Sequence, residues 1–204
     1  MTIRLPLLVE RVISDTRALQ TQTAQEHEQK LHRQDFMFSC RVGCAYCCHH
    51  PFLITVVEGL ILYRWLASHG RWTATLRKRV QEARDKTLGL SFEVWLLSNI
   101  PCPLLDSNKK CSAYEARPLH CRTTYSVSDP VLCHPHELGA LTRILPNTDA
   151  IVGFNNKVKA NLRKLGGLGA IMPIGEALLL GEAIETETLG LEEAGTQLAK
   201  DLLG

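Results

Sequence analysis

Eight cysteines lie in one window of this 204-residue chain, and none occurs in residues 1–39 or 134–204. Cysteines that serve as small buried hydrophobes would be scattered along a chain. Structural disulfides belong to oxidising compartments, and Pro6 and Glu10 break the apolar run near the N-terminus before a signal sequence can form. We therefore expect a cytoplasmic protein whose cysteines bind a metal centre instead of forming disulfides.

The composition is that of an ordinary globular protein, with 45% hydrophobic residues, 22% charged residues and a formal net charge of +2. The most apolar stretch, Phe52–Leu66, contains Glu58 and Arg64 and falls short of the roughly 18 uninterrupted apolar residues of a membrane span. The sequence has no dinucleotide-binding, phosphate-loop, zinc-protease or serine-hydrolase motif. We therefore expect no membrane association and none of the activities that these motifs mark.

The first four cysteines have the spacing C-x3-C-x2-C-C and are Cys40, Cys44, Cys47 and Cys48. The C-x2-C part of this pattern lets two thiolates converge on one metal. The side chains of adjacent residues tend to diverge, so one ion would have difficulty binding both Cys47 and Cys48. The pattern predicts either two sites or one site with a spare thiol, and it argues against a single site built from all eight cysteines.

The other four cysteines are Cys102, Cys111, Cys121 and Cys133, each with prolines or turn-forming residues nearby, as is usual for ligands on loops. Four thiolates suffice for a tetrahedral zinc ion or for one four-iron cluster, and eight would permit two such sites. We predict that all eight cysteines are metal ligands and that the cofactor is an iron–sulfur cluster or zinc. The vicinal cysteines and the nearby arginines slightly favour the iron–sulfur cluster.

Arginines and histidines accompany the cysteines. Arg117 and Arg122 flank Cys121, and we expect their guanidinium groups to contact the cofactor and offset its charge by hydrogen bonding to sulfur. Zinc also accepts imidazole, although a histidine beside a cysteine more often supports a ligand through a hydrogen bond or faces solvent. The histidines concerned are His49, His50, His120, His134 and His136.

Hydrophobic spacing and capping patterns predict a mainly α-helical fold. Thr55-Val-Val-Glu58 has the spacing of a capping box, Gly70 has the place of a C-cap, and Thr73 is a further N-cap. The predicted helices are 5–36, 56–69, 74–87, 92–98, 136–144, 149–165, 174–184 and 191–203.

One small hairpin is the only β-structure that the sequence indicates. The turn-forming segment Asp106-Ser-Asn-Lys lies between two short extended pieces, 102–105 and 110–114. We therefore expect a helical domain with irregular cysteine-rich metal-binding loops and at most a small β-hairpin. The predicted regions are an N-terminal helical extension at 1–39, a cysteine-cluster metal-binding domain at 40–135 and a C-terminal helical region at 136–204.

Both ends of the chain are candidates for partner binding. Residues 20–34 of the first predicted helix are very polar, which indicates a helix that is exposed to solvent or packed on a partner. From Gly167 onward the chain has seven acidic residues and one basic residue, Lys200. We expect any protein partner to use the N-terminal helix or the acidic C-terminal helices, and we do not expect a nucleic-acid partner.

The cysteine pattern resembles that of the YkgJ-type cysteine-cluster family, whose domain is described as zinc- or iron-chelating. The resemblance covers about residues 40–133. It rests on the first cysteine group together with Cys102-Pro-Leu-Leu-Asp106 and Cys111-x2-Tyr114-x2-Arg117-Pro118-x2-Cys121-Arg122. It implies that the matching cysteines are metal ligands. The cysteine module also looks like that of flagellin lysine-N-methylases.

Three functions are compatible with these features. The first is a metal-binding protein whose iron–sulfur cluster or zinc has a structural, redox or sensing role. The second is a subunit of a larger assembly in which metal staples the loops together. The third is a cluster-dependent, methyltransferase-like enzyme that modifies proteins, and a cleft with space for a cofactor beside the thiolates would indicate it.

Overall fold

The computed structural model describes residues 5–41, 43–135, 143–144, 148–162 and 169–186. In these ranges the chain is mainly α-helical, as predicted. The α-helices are α1 (Leu5–Arg33), α2 (Val56–Ser68), α3 (Ala74–Thr87), α4 (Phe92–Leu97), α5 (Leu119–Arg122), α6 (Thr148–Leu162) and α7 (Ile174–Glu185). The strands are β1 (Leu53–Thr55), β2 (Tyr125–Ser126), β3 (Arg143–Ile144) and β4 (Ile171–Pro173), and 3₁₀ helices span Tyr46–His49, Tyr114–Ala116 and Pro130–Cys133.

The helix α2 begins where the sequence predicts it. The Glu58 amide donates a hydrogen bond to the Thr55 hydroxyl at 3.3 Å, and the Thr55 amide donates one to the Glu58 carboxylate at 2.9 Å, which completes the capping box. After the helix, Gly70 has a φ of 62°, a left-handed conformation that glycine adopts without strain. The fully buried side chains of α2 include Val56, Val57, Leu60, Leu62 and Leu66. A helix that is this apolar is the centre of the core.

The helix α7 crosses α2 with the two backbones in contact. A Cβ atom on Gly59 would lie 2.1 Å from the Ala177 carbonyl oxygen, and one on Gly181 would lie 2.7 Å from the Leu60 Cα atom. Because the neighbours are main-chain atoms, these two positions require glycine. The helix α3 also packs on α7, so α2, α3 and α7 form one packed layer.

Two antiparallel pairs of short strands connect distant parts of the chain. In the first pair Ile54 of β1 lies opposite Met172 of β4, which holds the starts of α2 and α7 side by side. In the second pair Tyr125 of β2 lies opposite Ile144 of β3. The helix predicted at 136–144 is therefore wrong at its end. A short apolar run is compatible with either a helix or a strand, and residues 143–144 form a strand because they pair with β2. Residues 136–142 lie outside the described residues.

The polar half of α1 packs on the chain itself. Gln20, Ala24, His27 and Leu31 are buried, and α1 contacts α2, α5 and α6. We expected this half of α1 to be exposed to solvent or packed on a partner. The face that carries these four residues is instead buried within the chain itself. The reason is a buried polar contact that spacing cannot reveal, in which Nε2 of Gln20 donates to the Glu58 carboxylate at 2.8 Å. The remaining faces of α1 are exposed.

The C-terminal helices agree with the sequence where the structure describes them. The prediction 149–165 corresponds to α6 and 174–184 corresponds to α7, whereas 191–203 lies outside the described residues. None of the helices in the described part of the chain is long and apolar enough to cross a membrane. The division into three regions stays a prediction.

Candidate metal centre

The vicinal cysteines lie on the 3₁₀ helix Tyr46–His49, directly after a tight turn. In that turn Gly43 has a φ of 87°, which favours glycine, and the Cys44 amide donates to the Arg41 carbonyl oxygen at 3.0 Å. The thiols of Cys47 and Cys48 are joined by a hydrogen bond. Local contacts therefore define the turn and the 3₁₀ helix that carry Cys44, Cys47 and Cys48.

The two histidines that follow the vicinal pair bind the backbone of other cysteine loops. Nδ1 of His49 lies 3.3 Å from the carbonyl oxygen of Asn99, three residues before Cys102. Nε2 of His50 lies 2.6 Å from the carbonyl oxygen of Cys133. Each histidine therefore uses a ring nitrogen to hold a neighbouring cysteine loop, and that nitrogen is not available to a metal.

Cys102 and Cys111 lie on the small hairpin that the sequence predicts. The Cys102 amide donates to the Cys48 carbonyl oxygen at 2.7 Å, which places the hairpin beside the vicinal pair. Leu105 and Cys111 form an antiparallel bridge. The Asp106 carboxylate closes the turn by accepting two amides of the loop at 2.8 and 2.9 Å.

Cys121 lies on α5, a single turn whose start is fixed by Glu58. Oε1 of Glu58 accepts the Leu119 amide at 2.9 Å and the Gln20 side-chain amide at 2.8 Å. Oε2 accepts the amide and the hydroxyl of Thr55, both at 2.9 Å. One buried carboxylate thus joins α1, the start of α2 and the cysteine-bearing α5. The capping-box spacing identifies Glu58, but sequence reasoning missed its role in placing Cys121.

Cys40 and Cys133 lie on two further segments. The Ser126 amide of β2 donates to the Cys40 sulfur at 3.3 Å. The Ser39 amide donates to the Ser126 carbonyl oxygen at 2.8 Å, so the chain before Cys40 is held against β2. Cys133 is buried at the end of the 3₁₀ helix Pro130–Cys133, which packs against the 3₁₀ helix of the vicinal pair.

A cavity of about 350 Å³ lies between these loops. All eight cysteines belong to the described residues, and Cys40 and Cys133 are the two that do not line this cavity. Apolar side chains such as Phe52, Trp95 and Ile100 line part of it. The cysteines that line it are Cys44, Cys47, Cys48, Cys102, Cys111 and Cys121.

Burial and mutual proximity favour the protonated form of the thiols deepest in the site. Burial raises the pKa of Cys102 to about 12, and the thiols of Cys111 and Cys47 contribute to the increase. Burial is also the largest cause of the raised pKa of Cys111 and Cys121. For Cys47, the hydrogen bond with the Cys48 thiol is the largest cause of the raised pKa, followed by burial. Metal binding must displace these protons.

Electrostatic coupling shows which thiols are neighbours. Cys102, Cys111 and Cys121 are coupled to one another and to Cys47, which is also coupled to Cys40 and Cys44. Cys133, although last in the second sequence group, is coupled instead to the first group. Burial raises the pKa of Cys40 and of Cys44, and the Cys133 thiol contributes to both increases. The order of the cysteines in the sequence therefore does not determine their grouping in space.

Of the two arginines predicted to contact the cofactor, Arg117 lines the cavity and Arg122 does not. The charge of Arg117 opposes the effect of burial on the pKa of Cys111 and Cys121. Its guanidinium carbon also lies 3.7 Å from the centre of the Tyr114 ring, a cation–π contact that orients the side chain.

Sequence reasoning missed a further arginine, Arg79 on α3. Its Nε donates to the Pro103 carbonyl oxygen at 2.6 Å, and its charge opposes the effect of burial on the pKa of Cys102. No sequence pattern marks Arg79, because its contact arises when α3 packs beside the hairpin.

The other predicted histidines contact neighbouring rings. His120 lies against Phe52 with ring centroids 4.5 Å apart, and burial lowers the pKa of His120. The rings of His49 and His134 lie 6.4 Å apart. His136 lies outside the described residues.

The donors fit a thiophilic metal centre in their chemistry. All eight cysteines are free thiols, and six of them line one cavity. Yet among the residues that the structure describes, no three histidine, cysteine, aspartate or glutamate side chains form a group that could hold one metal ion.

Comparison with known proteins identifies the family. No curated protein and no solved structure matches the chain. A family model, described as CxxCxxCC, putative zinc- or iron-chelating domain, matches residues 39–144, just over half of the chain. This range includes all eight cysteines and confirms the resemblance that the cysteine spacing suggested. The chain therefore belongs to the CxxCxxCC family of zinc- or iron-chelating domains.

Proposed function

We propose that this protein binds a four-iron iron–sulfur cluster with a structural, redox or sensing role. The ligands are Cys47, Cys102, Cys111 and Cys121, called the inner set. The observation that supports the proposal is that these four thiols, from three separate segments, are mutual neighbours and line one cavity of about 350 Å³. Four cysteine thiolates are the usual ligands of such a cluster.

Zinc would require a closer arrangement of the same thiols. With Zn–S bonds of about 2.3 Å in a tetrahedron, the four sulfur atoms lie about 3.8 Å from one another. A four-iron cluster places iron and sulfide atoms between the thiolates, so its ligands are farther apart. We favour the cluster because the four thiols of the inner set surround a cavity of about 350 Å³, which has room for a group larger than one ion.

The surroundings suit a buried, negatively charged group. Four cations line the cavity, and none of the described residues that line it is a carboxylate. Cationic side chains near thiolates offset their charge and donate hydrogen bonds to sulfur. The lining cations are Arg41, Lys109, Lys110 and Arg117.

The positions of the ligands support a structural role first. A cluster bound by the inner set ties the 3₁₀ helix of the vicinal pair to the hairpin and to α5. A redox or sensing role requires in addition that the bound cluster be reduced and reoxidised without loss. Free thiols persist in a reducing compartment, and we propose the cytoplasm.

The test is anaerobic reconstitution of the full chain with ferrous iron and sulfide, with Cys121→Ser as the control for adventitious iron. We expect equal amounts of iron and acid-labile sulfide in the wild type and a broad visible absorption that bleaches reversibly on reduction. If the protein is colourless and binds zinc, the metal centre is a zinc site and not an iron–sulfur cluster. A protein that binds neither metal would overturn the proposal.

A cluster-dependent, protein-modifying enzyme is a second candidate. The feature that favours it is the apolar wall beside the thiols, formed by Phe52, Trp95 and Ile100, which an organic cofactor could contact. Titration of the cluster-loaded protein with S-adenosylmethionine tests this version. Saturable binding of S-adenosylmethionine supports the enzyme hypothesis, and the absence of binding at millimolar concentration rules it out.

Membership of a larger assembly is a third candidate. The outer faces of α1 are exposed and carry charged side chains such as Arg11 and Asp15, which suit a polar protein interface. The excess of acidic residues from Gly167 onward is a second feature of the sequence that suits a charged partner. A monomer in size-exclusion chromatography at high concentration, with no co-purifying protein, would count against an assembly.

A further inference from the structure

We propose that the protein binds a small aromatic anion, such as an aromatic carboxylate or phosphate ester, in a second cavity beside the metal centre. This cavity has a volume of about 510 Å³, within the range of about 300–1,000 Å³ that is usual for small-molecule sites. Cys44 is the one cysteine of the described residues that lines it, and no thiol of the inner set does. The inference therefore concerns a site beyond the proposed cluster.

Two cations line the second cavity, and none of the described residues that line it is a carboxylate. Arg41 accepts the Cys44 amide at the turn before the vicinal cysteines, and Lys109 lies in the turn of the small hairpin. Neither side chain forms an ion pair within the described ranges. Unpaired cations around a cavity attract an anion, and a guanidinium group matches carboxylate and phosphate oxygens in geometry.

The backbone at Lys109 supports a role for its side chain. Lys109 has a φ of 57°, in the left-handed region that is strained for a residue with a Cβ atom. The other described non-glycine residues with a positive φ are Asp35 and Asn99, whose short polar side chains tolerate this conformation. A glycine would form the hairpin turn with less strain, so the lysine costs stability at this position. We attribute it to the charge that the lysine places at the cavity.

Aromatic rings line another part of the second cavity. The rings of Tyr46 and His134 lie 6.3 Å apart at an angle of 77°, and the ring of His49 lies 6.4 Å from that of His134. Two nearly perpendicular rings form a corner in which a flat ring stacks on one face and meets the edge of the other. Nδ1 of His49 lies 3.3 Å from the Asn99 carbonyl oxygen, which fixes that ring. Aromatic faces and two positive charges together fit an anion that carries a planar ring.

The cations of the two cavities are only partly the same. Arg41 and Lys109 line both cavities, whereas Lys110 and Arg117 line only the cavity of the inner set. If all four cations serve only to offset the charge of the metal centre, removal of Lys109 changes the metal content and no aromatic anion binds. If Lys109 serves the second cavity, its removal weakens the binding of an aromatic anion.

Calorimetric titration of the metal-loaded full chain at low salt tests the proposal, with benzoate and phenyl phosphate as probes. Benzamide has the ring without the charge, and acetate has the charge without the ring. We expect saturable binding of at least one aromatic anion, about tenfold tighter than that of benzamide and of acetate, because one well-placed charged hydrogen bond suffices for such a difference. A wild type that binds no metal overturns the proposed function instead, and the titration is then made on the metal-free chain.

Lys109→Gly separates loss of the anion site from loss of the fold. It removes the charge and also relieves the strained backbone, so it should unfold at a urea concentration no lower than that of the wild type. We expect it to bind the aromatic anion about threefold to fivefold more weakly, as loss of one exposed ion pair implies, and to keep its metal. Lys86→Gln is the control, since Lys86 is exposed, lines neither cavity and should leave the binding unchanged.

Three results would overturn the proposal. The first is that neither benzoate nor phenyl phosphate shows saturable binding, or that benzamide binds equally well. The second is that Lys109→Gly binds the aromatic anion as the wild type does, whether or not it loses metal. The third is that Lys110→Gln weakens the binding more than Lys109→Gly does, which would place the probe in the cavity of the inner set.

Discussion

Where α2 crosses α7, two glycines bring the helix backbones into contact, whereas the loops that carry the cysteines are joined mainly by a small number of hydrogen bonds. A Cβ atom at Gly59 would come within 2.1 Å of the backbone of α7. By contrast, one bond of 2.7 Å between the Cys102 amide and the Cys48 carbonyl oxygen joins the hairpin to the vicinal pair. The helices are in close contact along a face, and the loops meet around a cavity.

This difference indicates two sources of stability. Each fully buried apolar side chain of α2, such as Leu60 or Leu66, contributes about 1.5–3 kcal/mol relative to an exposed one. The cysteine loops bury fewer apolar side chains, such as Leu104 and Leu119, and direct protonated thiols toward a cavity. Their order should therefore depend on the metal that replaces those protons. The contrast predicts a helical layer that survives without metal and loops that do not.

The largest expected effect is that of metal removal. Structural zinc sites contribute roughly 10–16 kcal/mol of binding free energy that is coupled to folding, and a cluster held by several loops should act in the same way. We expect anaerobic chelation to remove hydrogen-exchange protection from residues 40–50 and 99–133 while α2 and α7 keep theirs. Mass spectrometry of exchanged peptides measures this. Equal loss of protection in both regions would show that the helical layer also needs metal.

The next largest effect tests the helical layer alone. We expect Gly59→Ala to lower the free energy of unfolding by about 3 kcal/mol, because the new methyl group overlaps the backbone of α7. Gly153→Ala is the matched control, since a Cβ atom on Gly153 of α6 meets no atom within 4 Å. That control should be neutral or stabilising by up to about 1 kcal/mol, because alanine favours a helix. Urea unfolding of the metal-loaded proteins measures both, and equal values would refute the close crossing.

The helices could be predicted from the sequence to a greater extent than the contacts between them. A capping box is local, so Thr55 and Glu58 place the start of α2 correctly. The crossing at Gly59 and Gly181 could not be predicted, because a helical glycine has the same sequence pattern whether its neighbour is solvent or another backbone. Gly153, which has open space around it, illustrates the ambiguity.

The cysteine site shows the same limit. The spacing identifies the eight cysteines and the turn at Asp106, both of which are local features. It does not reveal that Cys133 lies near Cys44, because that proximity depends on packing between two 3₁₀ helices far apart in sequence. The contacts of Gln20 and Arg79 were missed for the same reason. Long-range contacts of polar side chains leave no periodic pattern.

A smaller effect is expected where the two regions are connected, at Glu58. Glu58→Gln replaces an oxygen acceptor by a donor that faces another donor, and we expect it to lower the free energy of unfolding by about 1–3 kcal/mol. Because Oε1 holds the Leu119 amide at the start of α5, metal affinity should fall as well. Glu82→Gln is the control, since its exposed pairing with Lys78 at 3.9 Å contributes little. If Glu58→Gln loses stability but keeps its metal affinity, Glu58 stabilises the helical layer without affecting the metal site.

The smallest effect is a pH dependence that originates at His27, on the face of α1 that packs toward the cysteine loops. Burial, followed by the charge of Lys30, lowers the pKa of His27 below its ordinary value of 6.5, and its Nε2 has no hydrogen-bond partner among the described residues. A histidine with a lowered pKa in the folded state stabilises the fold above pH 6.5, and this stabilisation is lost as the pH falls through the folded pKa. The free energy of unfolding should therefore decrease between pH 7.5 and about 5.5 in the wild type.

The control for this effect is His27→Phe, which keeps a ring against Tyr125, 6.1 Å away in the wild type, but cannot be protonated. We expect this variant to have a smaller decrease over the same pH range, as measured by urea unfolding, and His32→Gln on the exposed side of α1 to behave as the wild type. If His27→Phe has the same pH dependence as the wild type, the decrease originates elsewhere. If instead acidification releases metal before it affects α1, the cysteine loops are the part of the molecule that is more sensitive to acid. The contrast between packed helices and metal-dependent loops would then extend to pH, because protons compete with metal for thiolates but not for buried apolar surface.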